Sequence, residues 1–186
     1  MPILGIIASS ITGNLVTNSF ESIATASGTG SSGIITFSSI PSTYKHLQLR
    51  TLMRNTGSGS GEQSVLITMN SDTGANYATH RLTGNGSSAG AQSYTSGTAI
   101  VPYFNPENGA ASNVYGVYVI DLLDYANTSK NKTIRLFGGV DYNGSGTVGL
   151  ISGAWFNTNA ITSITLTSGG GNWTTAAKFA LYGIRG

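Results

Sequence analysis

Apolar and polar residues alternate along this chain over short distances, and the alternation is repeatedly cut by clusters of Gly, Asn, Ser and Pro. Ten segments carry β-branched or aromatic residues with a period of two: 20–26, 33–38, 46–54, 64–70, 77–83, 115–123, 133–140, 148–156, 163–167 and 178–184. Between them lie glycine-rich stretches at 28–33, 57–61, 84–90, 143–146 and 169–172, which supply positive φ at low steric cost. No run of ten or more residues sustains a 3.6-residue apolar period, and no fixed repeat is visible. Short strands at this spacing predict an all-β protein: a jelly-roll-like antiparallel β-sandwich, with a closed barrel as the nearest alternative.

Several strands show one apolar side. Leu47, Leu49 and Thr51 share a face, as do Phe179, Leu181 and Gly183, and Val114 with Tyr118, Ile120 and Leu122; these are the expected core. Tyr115 to Ile120 is apolar on both faces, which calls for a covered central strand or an outer face covered by another subunit. Residues 121–132 read as a strand running out into a polar loop and returning at Thr133, a hairpin. Residues 1–18 differ, placing Ile3, Leu4, Ile6, Ile7 and Ile11 among Gly and Ser without a clear partner strand. They are expected to form an extended N-terminal arm that binds a partner, with the sandwich domain at 19–186, the alternative being that they form the first strand of the sandwich itself.

Composition strengthens the all-β reading. Gly, Ser, Thr and Asn make up nearly half of the 186 residues, and only 9% are charged, against about 25% in ordinary domains. Residues that favour helices are correspondingly scarce. A hydrophobic fraction of 39% still provides a core, so the polar bulk does not imply disorder. The net charge of +2 comes from single scattered residues, which is no footprint for nucleic acid. The apolar opening lacks a basic leader and is too short to span a bilayer, so neither secretion signal nor membrane helix is expected. There are no cysteines, which excludes thiol catalysis and Cys-based zinc sites.

Candidate chemistry is sparse. His46 and His80 lie far apart without triad or metal-ligand spacing, and structural roles are expected for both. Asp121 and Asp124 are close in sequence but belong to no Asp-x-Asp-x-Asp-Gly series, so a metal site is not expected. The run Gly57-Ser58-Gly59-Ser60-Gly61 has no following Lys and opens no helix, which argues against phosphate binding. Trp155 and Phe156 are expected inside the sandwich, whereas Tyr142 and Trp173, beside turn sequences, are candidates for a glycan or subunit contact. No catalytic residue and no cofactor is expected, and the chain does not read as an enzyme.

Three stretches stand out as a set: 2–10 (PILGIIASS), 35–50 (ITFSSIPSTYKHLQLR) and 179–186 (FALYGIRG). Together they resemble small virion structural proteins of tailed bacteriophages. The likeness covers both ends of the chain and thins in the middle. It implies either a capsid cement (decoration) protein, often a trimeric sandwich over capsomer junctions, or a tail-associated adhesion protein that binds a receptor or host surface glycan. A weakly charged, cysteine-free sandwich with an apolar arm fits the cement role better. The expected partners are then the major capsid protein and two further copies in a homotrimer, without nucleic acid or membrane, on the capsid surface after assembly in the host cytoplasm.

Overall fold

A computed structural model describes residues 19–186. The arm residues Ile3, Leu4, Ile6, Ile7 and Ile11 lie outside the described residues. Among the described residues there are thirteen strands and no helix: β1 (Phe20–Ser27), β2 (Ile34–Phe37), β3 (His46–Met53), β4 (Glu62–Gln63), β5 (Val65–Met69), β6 (Tyr77–Gly84), β7 (Ala89–Gly97), β8 (Asn105–Pro106), β9 (Gly116–Leu123), β10 (Lys132–Asp141), β11 (Gly146–Trp155), β12 (Ile164–Ser168) and β13 (Lys178–Ile184). All ten expected strands are present within about two residues at their ends.

The strands form antiparallel sheets. The large one has eight strands in the order β1-β13-β3-β9-β10-β11-β6-β7, a smaller one runs β2-β12-β5, and β4 pairs with β8. The arrangement is sandwich-like and its layers are unequal, eight strands against three. One buried cluster joins the facing sides: Leu181, Leu49, Ile120, Leu136 and Ile151 from the large sheet meet Val65, Ile67, Met69, Ile164 and Leu166 from the small one. This burial on one side of each strand is what the period of two predicts.

The segment after β7 crosses the inner side of the large sheet, and glycines make the crossing close. A Cβ on Gly153 would come within 2.7 Å of the Ile100 side chain, and one on Gly149 within 2.5 Å of the Phe104 ring. Ile100 also bridges to Ile67 of the small sheet. The expected hairpin between β9 and β10 is present. The β10–β11 hairpin closes with the Tyr142 N–H donating to the Ser145 carbonyl, with Asn143 and Gly144 at φ 61° and 110°, the two positive φ angles that such a turn requires.

Two sequence expectations for aromatic side chains are corrected. Phe156 is 55% exposed, because Trp155 ends the inward register of β11 and takes the buried position. Trp173 is fully buried: it sits edge-on against Phe179, with ring centroids 5.1 Å apart, and presents no face on which a sugar could stack.

Candidate interaction face

The sheet's registers assign every residue to one of its two sides. Directly paired residues point the same way, so Arg50, Val119, Phe137, Leu150, Leu82 and Ala91 form one continuous outward row from β3 to β7. Two residues along the strands, a second row holds Leu52, Val117, Gly139, Val148, Gly84 and Ala89. The small sheet lies on the opposite side, so the large side chains of these rows stay open. Phe137 is 59% exposed, Leu82 is 56%, Val148 and Leu150 are each 50%, and Leu52, Val117 and Val119 are also exposed. Together these seven side chains leave an apolar area on the order of 600 Å2, the upper end of what a monomeric protein leaves open.

The floor between these side chains is low. Gly139 and Gly84 interrupt the second row, and at its end a shallow cavity of about 870 Å3 runs from Leu52 and Val117 past Asn113 and Val114 to Val148. Arg54, itself buried, holds this end in place. Its Nη1 donates to the carbonyls of Ala111 and Val114 at 2.9 and 2.8 Å, and its Nη2 to those of Asn108 and Ala110 at 3.0 and 3.1 Å.

A third row bounds the apolar belt with polar groups. Gln48, Asp121, Arg135, Ser152, His80 and Ser93 follow one another across the sheet. Arg135 pairs with Asp121 at 2.8 Å, Gln48 donates to Asp121 at 2.9 Å, and Arg50 donates to Gln48 at 2.9 Å. Arg50 also lies 5.2 Å from the centroid of the Phe20 ring and 5.4 Å from that of Tyr182. The outer face is therefore divided along the strands, apolar toward the Tyr142 turn and polar toward Leu123.

The residues singled out for chemistry are spread over the molecule. His80 lies on the outer face, whereas Nδ1 of His46 accepts the backbone N–H of Asp124 at 3.0 Å. Lys130 and Lys45 beside Asp124 hold its carboxyl below the usual carboxylate range, so Asp121 and Asp124 serve separate ion pairs. Glu62 is pushed up by burial, although the Thr147 hydroxyl donates to it. Tyr142 packs half-buried against the core, and burial, reinforced by the Glu62 charge, pushes its phenol to about 12. Tyr142 and Trp173 are thus not brought together on a surface. Among the described residues no three His, Cys, Asp or Glu side chains are grouped to hold a metal, and no helix is long and apolar enough to cross a membrane.

Fold and surface together define an all-β protein whose most developed surface feature is an exposed apolar belt on the outer face of its large sheet. No protein-family model and no curated protein matches the chain.

Proposed function

We propose that this chain is a virion structural protein of a tailed phage, a capsid cement protein that seats at capsomer junctions. The observation that carries the reading is the apolar belt on the outer face of the large sheet. A stable interface removes about 800 Å2 from each partner, and the belt with its glycine and alanine floor comes close to that area. The resemblance of 2–10, 35–50 and 179–186 to phage virion proteins supplies the setting. Cement proteins act by burying area between shell subunits, so that internal pressure must break their contacts as well as the shell's own. Many modest contacts suffice when they are linked on one particle. Ile3, Leu4, Ile6, Ile7 and Ile11 add a second contact with the shell in this reading, and neighbouring copies complete a trimer.

The adhesion alternative needs aromatic rings open at one tip, and the burial of Trp173 takes away one of the two rings proposed for it. Locating the chain in density of the phage particle that encodes it is the direct test. Copies at capsomer junctions are the expected result. Copies confined to the tail would overturn the cement role, and absence from the particle would overturn the virion assignment.

A further inference from the structure

The large sheet ends in two edges that differ in how they are protected. At one edge, β1 carries Glu21, paired with Arg185 at 2.9 Å, and its pairing with β13 is broken by a shift between Ser22 and Ala24. Charges and irregularities of this kind are how natural sheets keep their edges from pairing with other chains. At the other edge, β7 reads Ala-Gly-Ala-Gln-Ser-Tyr-Thr-Ser-Gly over nine residues, with no charge and no proline and every residue before Gly97 exposed; its one register shift lies at the far end, between Tyr94 and Gly97, so residues 89–94 pair regularly with β6.

The exposure of β7 has a structural cause. The inward row of the large sheet runs Leu181, Leu49, Ile120, Leu136 and Ile151, and then turns polar at Arg81 and Gln92. Arg81 is occupied by aromatic rings, 4.3 Å from the centroid of Tyr103 and 5.7 Å from that of Tyr94. The core therefore stops at β6, and β7 extends past it, held by its ladder to β6 alone.

The direction of its free backbone groups follows from the turn. The Asn85 N–H donates to the Ser88 carbonyl at 3.2 Å, so Asn85 and Ser88 form a hydrogen-bonded pair. Bonded and non-bonded pairs alternate in an antiparallel ladder. Thr83 with Gly90 is then the next bonded pair, and Ala89, Ala91 and Ser93 direct their N–H and C=O groups away from β6.

We propose that β7 pairs antiparallel with β7 of a second copy of this chain about a two-fold axis at Ala91. In that register Ala91 faces its own mate, Ala89 faces Ser93, and Gly90 faces Gln92. All three outward-directed residues then find partners, giving six backbone hydrogen bonds of the regular ladder type. Every facing side chain is small or neutral, so doubling the edge brings no like charges together. The two-fold also joins the outer row Phe137–Leu150–Leu82–Ala91 to its copy, making one apolar belt across two sheets. A second copy is the occupant this edge fits, because only a self-complementary segment meets all three positions twice. The inference does not rest on the virion reading, and it adds a factor of two to whatever assembly the outer face makes.

The absence of cysteine allows a clean test on the full chain. Ala91→Cys, treated with a short thiol-to-thiol cross-linker, is expected to give a covalent dimer as the major product. Val119→Cys, in the middle of the outer face, serves as the control. Sedimentation of the unaltered protein should give an even multiple of 19.1 kDa. Ala91→Pro, which removes one outward donor at an edge that tolerates proline, should halve that mass while its circular dichroism stays unchanged. An odd multiple, a single copy or a closed trimer, would overturn the pairing and leave the cement reading standing. Cross-linking through Val119→Cys but not through Ala91→Cys would overturn it in favour of face-to-face contact. If Ala91→Pro fails to fold, the Ala91→Cys cross-link alone decides.

Discussion

Replacing Arg54 by Lys tests whether one buried guanidinium organises the loop that closes the apolar cavity. The planar fork of Arg54 reaches four carbonyls of residues 108–114 from two nitrogens. An ammonium is a compact donor without that span, so Lys at this position can satisfy at most about two of them. Hydrogen bonds from a charged donor contribute roughly 1.5 to 3 kcal/mol each. Asn108 and Ala111 are exposed, and their carbonyls regain water when the fork is lost, which reduces the cost of two missing bonds to a net of about 2 to 3 kcal/mol. For a chain of this size 1 kcal/mol moves the melting temperature by about 2 to 4 °C, so Arg54→Lys should melt roughly 5 to 10 °C lower. Arg54→Met, which supplies no donor, should cost about 4 kcal/mol. Calorimetry at matched protein concentration reads both, since assembly shifts melting by mass action. A melting temperature within 1 °C of the unaltered protein for Arg54→Lys would refute the reasoning.

Phe137→Ser removes about 100 Å2 of exposed apolar area, or roughly 2.5 kcal/mol of interface burial. It should weaken rebinding to particles stripped of this protein by about 50- to 100-fold in a pelleting assay, with melting changed by less than 3 °C. Gly116→Ala should be far more damaging than Gly153→Ala. A Cβ at 116 would lie 1.6 Å from the Phe104 carbonyl oxygen, which is backbone, whereas at 153 it meets the movable Ile100 side chain; denaturant unfolding should show more than 3 kcal/mol against about 1 to 2 kcal/mol. Burial pushes the phenols of Tyr77 and Tyr142 up to about 12. The unfolded chain ionises first above pH 10, so stability is full below that pH and falls between pH 10 and 12, by on the order of 2 to 3 kcal/mol for each phenol. Chemical unfolding across that window checks the sign. Deleting residues 1–13 should leave melting nearly unchanged and abolish rebinding to stripped particles; loss of folding would place those residues in the core.

The ten strands with a clear alternation were legible because each lies over the buried cluster, where the period of two has a physical cause. Strand β7 was not, since the core ends at Arg81 and nothing beneath β7 selects apolar residues at alternate positions. Its opening Ala89-Gly90 reads as turn chemistry for the same reason. The two-residue pairing of Glu62 and Gln63 with Pro106 and Asn105 is set by tertiary placement alone. Which side of a doubly apolar strand faces inward was also hidden. In β10, Ile134, Leu136 and Val140 compete with Phe137, and the ring of Tyr118 decides, lying where a Cβ on Gly138 would meet it at 2.5 Å. Trp173 sits in a sequence of Gly, Asn and Thr that suggests a surface loop, and its burial follows from Phe179 on a strand that arrives later in the chain.

The low charge of the chain acquires a spatial meaning once the rows are known. If the apolar half of the outer face is covered as proposed, unpaired charge there is costly, since stranding a charge on association costs far more than an aliphatic contact returns. Most of the charges on the outer face lie off the two apolar rows, while Asp141 beyond Gly139 and Lys178 beside Leu52 mark the ends of the belt without an ion-pair partner among the described residues. Asp121 and Arg135 neutralise each other in the polar row, and Arg50, at the boundary, is held by Gln48 and lies over two aromatic rings. Apart from Arg50 at its β3 end, neither apolar row contains an ionisable side chain between β3 and β6. In the proposed cement role this arrangement orients the partner as well as attracting it, because tilting it toward the Leu123 end would bury the Asp121–Arg135 pair without replacement contacts. On that proposal, contact begins at the apolar end of the face, beside the Tyr142 turn and the loop that Arg54 anchors.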